Sequence, residues 1–171
     1  MAGAQQRGTS PSAHLESVWD YPVPPVVEPS EAHAQVILNG FVVADSRRTR
    51  RVLQTGIPPV HYFPPEDVQT VYLRPVEAEG ACTAKGQACQ FDVVVGDRVA
   101  ETAAWSFPDP EDVFADIAGF IAFYPGRMDA CLLDGEPCRI DPDDESGGWV
   151  TPNIQGLSRG YPRTWDRGEL D

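Results

Sequence analysis

One stretch constrains the rest of the chain most. Glu101 to Cys131, ETAAWSFPDPEDVFADIAGFIAFYPGRMDAC, holds the only segment that reads as a helix of useful length. Asp109 stands where an N-cap belongs, and Pro110 follows at the first helical position, where a missing N–H costs nothing. Glu111 and Asp112 place negative charge in the first turn. Val113, Phe114, Ile117, Phe120, Ile121 and Tyr124 recur at helical spacing as one apolar face, with Asp116 outside it. Pro125-Gly126 ends the run. The spacing therefore predicts a helix over about 109–124. A helix this apolar on one side needs a sheet to lie on, and the rest of the chain must supply it.

The strands are marked by their turns. Asn39-Gly40 separates two β-branched runs, QVIL and FVVADS, and both turn residues tolerate positive φ. Lys85-Gly86, Gly96-Asp97 and Asp134-Gly135 read as three further tight turns. VHYF (Val60 to Phe63) and VYLRPV (Val71 to Val76) read as short strands, with Pro58-Pro59 breaking the chain before the first. RRTRRVLQ, from Arg47, fits helix or strand. The sum is six to eight short, mainly antiparallel strands and one helix. This is an α+β fold in which a small sheet of hairpins predominates.

Seventeen prolines and fifteen glycines in 171 residues fit a turn-rich domain, and a hydrophobic content of 42% suffices for a core. The organisation expected is a disordered tail over 1–15, a Pro- and aromatic-rich arm over 16–34, a domain over 35–140 and an irregular extension over 141–171. Trp19 and Tyr21 should pin the arm to the domain or to a second subunit, which makes a homodimer conceivable. The net charge of −13 argues against nucleic acid or an anionic membrane surface as partner. No run of eighteen apolar residues and no secretory leader is present, so the cytoplasm is the expected location. Cysteines there are reduced thiols or metal ligands.

Several blocks carry a resemblance. ESVWDYP, ILNGFVVADSRRTRRVLQT, PPVHYFPPEDV, C-T-A-K-G, VGDRVAETAAWSFPDP, IAGFIAFYPGRMD and GGWVTPNI resemble, in that order, the bacterial domain of unknown function 427 family, also labelled nucleotidyltransferase-9-like. The resemblance runs from about Glu16 to Gly156. It implies a small β-rich, tent-like fold with one helix. A nucleotidyltransferase needs carboxylates holding two metal ions about 4 Å apart and a phosphate cradle, and neither forms a compact motif here. The chain departs from the family's usual pattern at Ile57, Thr83-Ala84 and Gln90-Phe91.

The residues suggest three kinds of chemistry. Lys85-Gly86 beside Cys82 would suit an anionic ligand, because Lys is a point charge and Gly admits a close approach. A plain hairpin tip is the alternative. Arg127 and Asp129 could form an anion clamp with an orienting carboxylate or general base, or simply cap a helix. Tyr62, Phe91, Trp105 and Tyr124 would line the pocket, although Trp105 also suits the core. His61 could act as acid or base, or be structural, and the arginine run reads as a solvated face. Finally, two-residue turns would set Cys82 opposite Cys89 and Cys131 opposite Cys138, with facing Cβ atoms about 5 Å apart. Four such thiolates could hold zinc, though structural zinc favours tighter C-x2-4-C spacing, and the alternative is that they are small buried hydrophobes. No cofactor is otherwise expected. The function read from the sequence is a small-ligand domain for an anionic or carbonyl-bearing molecule, and if it is an enzyme, Lys85, Arg127 and Asp129 would supply acid/base or electrostatic catalysis without a metal. A structural or interaction module is the alternative.

Overall fold

The computed structural model describes residues 15–76, 82–83, 86–140 and 146–156, with 82–83 and 86–87 described by backbone pairing alone. Among these, strands dominate: β1 (Glu16–Ser17), β2 (Val26–Pro29), β3 (Ala34–Leu38), β4 (Phe41–Ser46), β5 (Arg50–Gln54), β6 (Ile57–Tyr62), β7 (Leu73–Val76), β8 (Cys82–Thr83), β9 (Gly86–Gln87), β10 (Cys89–Val95), β11 (Arg98–Ser106), β12 (Ile121–Phe123), β13 (Ala130–Leu133), β14 (Glu136–Pro137) and β15 (Ile154–Gln155). They form a four-stranded sheet β12-β11-β10-β7, a second β14-β13-β3-β4, a three-stranded sheet β2-β5-β6, and the pairs β1-β15 and β8-β9. Only β1-β15 is parallel.

The expected helix over 109–124 is not there, and with it goes the α+β description. Asp112–Ile117 is a short 3-10 segment, interrupted by non-helical angles at Phe114. Ala118 (φ −57°, ψ 122°) and Gly119 (φ +77°) then make a type II turn, closed by the Phe120 amide on the Ile117 carbonyl. The chain leaves that turn as the buried strand β12, against β11. Two causes are legible. Gly119 weakens a helix interior, and Phe120 to Phe123 is an aromatic and β-branched run that suits a buried strand. The apolar residues still reach a core. Phe114 and Ile117 are buried from the 3-10 segment and Ile121 from the strand, whereas Val113 is exposed.

The other turns behave as their residues dictate. Asn39 (φ +54°) and Gly40 (φ +80°) join β3 to β4 with Leu38 opposite Phe41. Val95 pairs with Arg98 across Gly96-Asp97, and Leu133 with Glu136 across Asp134-Gly135. Lys85-Gly86 is the exception. Thr83 pairs with Gly86 and Cys82 with Gln87, so the pairing is two residues off and Cys82 does not oppose Cys89.

Two cores result. The first takes Val36, Leu38 and Val43 from one four-stranded sheet and Val93, Val95 and Phe123 from the other, with Phe63 and Trp149 between. The second joins Val52, Val60 and Tyr62 of β5 and β6 to Trp105, Phe107, Phe114, Ile117 and Ala122. The residues of the arm pack against the C-terminal flank of the same chain. Val18 is buried with Val150 and Ile154, and Trp19 Nε1 donates to the Gly156 carbonyl at 2.8 Å. No helix among the described residues is long and apolar enough to cross a membrane.

Candidate functional site: a polar row beneath a cleft

The sheet β2-β5-β6 has two unlike faces, because successive side chains on a strand point to opposite sides. Val27, Val52 and Val60 align across its three strands and join the second core. The next row is Glu28, Arg51 and His61. It forms the floor of a cleft of about 360 Å³, walled by Glu16, Pro29, Ser30, Glu31, Ala32, Leu133 and Asp134. That volume is within the range of small-ligand sites.

Register creates the row. Gln54 pairs with Ile57 across Thr55-Gly56, and an unbulged hairpin would put Arg51 opposite Val60. A bulge between Val52 and Gln54 shifts the pairing by one, so Arg51 meets His61. Pro58 and Pro59 lie in the shifted segment, where they cannot donate to a ladder.

Arg51 is the hub of the row. Its Nε and Nη2 donate to Glu28 Oε2 at 3.1 and 2.6 Å, and Nη1 and Nη2 donate to Glu16 at 3.3 and 3.4 Å. Burial alone would lower the Arg51 pKa, but bonding to Glu28 and Glu16 outweighs it and the guanidinium stays charged. Tyr21 donates to Glu16 Oε1 at 2.6 Å, and burial together with that carboxylate raises its phenol pKa. His61 is 1% exposed, with Nδ1 3.4 Å from Thr49 Oγ1 and its ring 4.9 Å from that of Trp149. Burial, then the Arg51 charge, pushes its pKa down to about 3, so the ring is neutral at ordinary pH.

The side chains singled out in the sequence fall in four places. Tyr62, Trp105 and Tyr124 come together. Trp105 Nε1 donates to Tyr62 Oη at 3.1 Å, and the Trp105 and Tyr124 rings are 4.5 Å apart. Arg127 covers Tyr124 at 4.5 Å and donates to the Thr102 carbonyl at 2.7 Å, on the bulge of β11. Phe91 is elsewhere. It pairs with Ala104, one position from Trp105, and packs on the first core. Asp129 is not beside Arg127. It accepts from the Asn39 amide at 2.7 Å and from Arg98 at 2.9 Å, tying the β3-β4 turn to the β10-β11 turn. Lys85 lies outside the described residues, as does the side chain of Cys82, and Gly86 is described by its backbone pairing alone.

The cysteines divide as well. Cys131 and Cys138 face one another in the first core, where burial raises both thiol pKa values, whereas Cys89 is exposed. Among the described residues no three His, Cys, Asp or Glu side chains converge as metal ligands would.

Glu16, Glu28 and the buried state of Arg51 escaped the sequence reading. The arginine run is solvated only in part: Arg48 meets Asp67 at the surface, while Arg51 is drawn into the cleft. Alternation along RRVLQ and PPVHY, joined at Thr55-Gly56, was the available signal.

These features define a small, mainly antiparallel β domain with one polar sheet face turned into a cleft. The chain belongs to the family described as Domain of unknown function (DUF427), whose family model matches residues 26–134. Glu28, Arg51, His61 and Asp134 lie inside the match, and Glu16 lies outside it. A search of curated proteins finds no match.

Proposed function

We propose that this chain is a small-ligand-binding domain and that its ligand occupies the cleft above Glu28, Arg51 and His61. The observation that carries this reading is the polar row itself. A row of three ionisable side chains at the floor of a concave site costs stability that an apolar row would not, as a buried ion pair is often no better than a hydrophobic replacement. Keeping such a row fits a role in recognition. A His61 pKa of about 3 makes the ring a weak base, so binding is favoured over general-base chemistry at this site. The aromatic group of Tyr62, Trp105 and Tyr124 supports the sheet from its other face, where Tyr62 and Trp105 are buried.

Of the two ligand chemistries expected from the sequence, the anionic one is disfavoured by the charge of the cleft. Four carboxylates line it against a single guanidinium. A fragment screen on the isotope-labelled full chain, followed by amide and imidazole chemical shifts, tests the reading. The expected hits move Ser30, Arg51 and His61, and Ser30→Trp abolishes them with little change in Tm. Hits confined to the surroundings of Trp105 and Tyr124, or none at all, would overturn the assignment of the cleft.

A further inference from the structure

The unused hydrogen-bonding capacity of the cleft is mostly of one kind. Glu28 gives only Oε2 to Arg51, which leaves Oε1 without a partner among the described residues. Asp134 gives Oδ1 to the His33 amide, which leaves Oδ2. His61 is almost fully buried and lines the cleft. Its Nδ1 is turned to Thr49, and its Nε2 has no hydrogen-bond partner among the described residues. In the tautomer that directs the Nδ1 proton at Thr49 Oγ1, Nε2 is a bare acceptor. The donors, in contrast, are largely spent, since Nε, Nη1 and Nη2 of Arg51 all bond to Glu28 or Glu16.

Charge runs the same way. Glu16, Glu28, Glu31 and Asp134 against Arg51 leave an excess of three negative charges, four less one. A concave site with acidic walls concentrates cations. A bare metal ion is a poor fit, because among the described residues no three ligating side chains converge. A molecule bringing several N–H donors on a positive charge would use what the cleft leaves unused.

We propose that the cleft binds a small aliphatic amine in its ammonium form, whose N–H donors meet the free acceptors of Glu28, Asp134 and His61. The inference rests on the cleft being the ligand site and adds the class of ligand. Neutral His61 is part of the fit, since an imidazolium there would repel the ligand and offer it no lone pair.

Three probes of one length and different charge test it by calorimetry on the full chain: 1,4-diaminobutane, butane-1,4-diol and succinate. The diamine should bind saturably and shift the His61 ring resonances, and the diol and succinate should bind at least about a hundredfold more weakly. Glu28→Gln should weaken the diamine about tenfold, the loss of one charge-assisted hydrogen bond. Asp134→Asn should do the same while keeping the turn, because Asn tolerates positive φ. Succinate or the diol binding as tightly as the diamine, with cleft resonances moving, would overturn the cation class and leave the cleft as a ligand site. No binding of the diamine at millimolar concentration, or binding indifferent to both substitutions, would also overturn the proposal. The fragment screen reports on the cleft independently in each case.

Discussion

The two faces of the sheet β2-β5-β6 are built from neighbouring residues on the same strands, yet they do opposite things. Val27, Val52 and Val60 are packed into a core, while Glu28, Arg51 and His61 sit one position along and hold charge at the floor of a cleft. The core face gains from every methylene removed from water, about 0.8 kcal/mol each. The cleft face balances desolvation against ion pairing and gains little net stability. Stability on this sheet therefore resides on one side and charge on the other.

That contrast can be broken in graded ways. The largest loss should come from the core face. Tyr62→Ala removes a ring packed on Trp105 and Phe107 and should cost about 3–5 kcal/mol in denaturant unfolding. Arg51→Met should come next, at about 2–3 kcal/mol, because it leaves Glu16 and Glu28 unpaired. The figure is below that of a fully buried pair since Glu28 is 42% exposed. Adding Glu28→Gln should recover part of that loss, and a double variant no better than Arg51→Met alone would argue against the pairing.

The third effect is a pH dependence. His61 is held neutral in the folded state with a pKa well below its unfolded value, so the unfolded chain binds the extra proton. Stability should therefore fall as pH drops from about 6.5 towards 3, by up to about 1.4 kcal/mol per pH unit. Asp67, Asp92 and Asp129, whose pKa values are lowered chiefly by their hydrogen bonds to Arg48, Thr102 and Arg98, lose their contributions only below the ordinary carboxylate range. Between about pH 4.5 and 6.5 the slope reports on His61, and His61→Gln should flatten it. Smallest of all, Asp129→Asn should cost less than about 1 kcal/mol, as its ion pair with Arg98 is half exposed. A larger loss would mean that the latch between the two turns matters more to the fold than an exposed pair should.

Much of the fold could be read from local chemistry. Asn39-Gly40, Gly96-Asp97 and Asp134-Gly135 fix three hairpins because positive φ falls at Asn39, Gly40, Gly96, Asp134 and Gly135, residue types that tolerate it. The segment 109–124 misleads because its apolar spacing fits a helix, while Gly119 and the burial of Ile121 to Phe123 decide for turn and strand. The candidate site was less legible. Its row joins residues 28, 51 and 61 through two registers, and one of these depends on a bulge that no local pattern announces. Tyr62, Trp105 and Tyr124 lie together in the second core and not in the cleft, and Asp129 and Phe91 have other neighbours.

The parallel pairing of β1 with β15 has a consequence for how the chain can be cut. Glu16 meets Ile154 and Ser17 meets Gln155, so the two flanks of the family segment form a clasp without a covalent bond. Closing a long loop costs only about 0.6 kcal/mol more than closing one half its length, so two short strands and the buried Val18, Val150 and Ile154 can hold it. The clasp is reciprocal: either flank, once removed, leaves the other without its seat. Trimming the C-terminal flank would thus loosen Glu16 at the far end of the chain, and with it one of the two carboxylates that hold Arg51 in place.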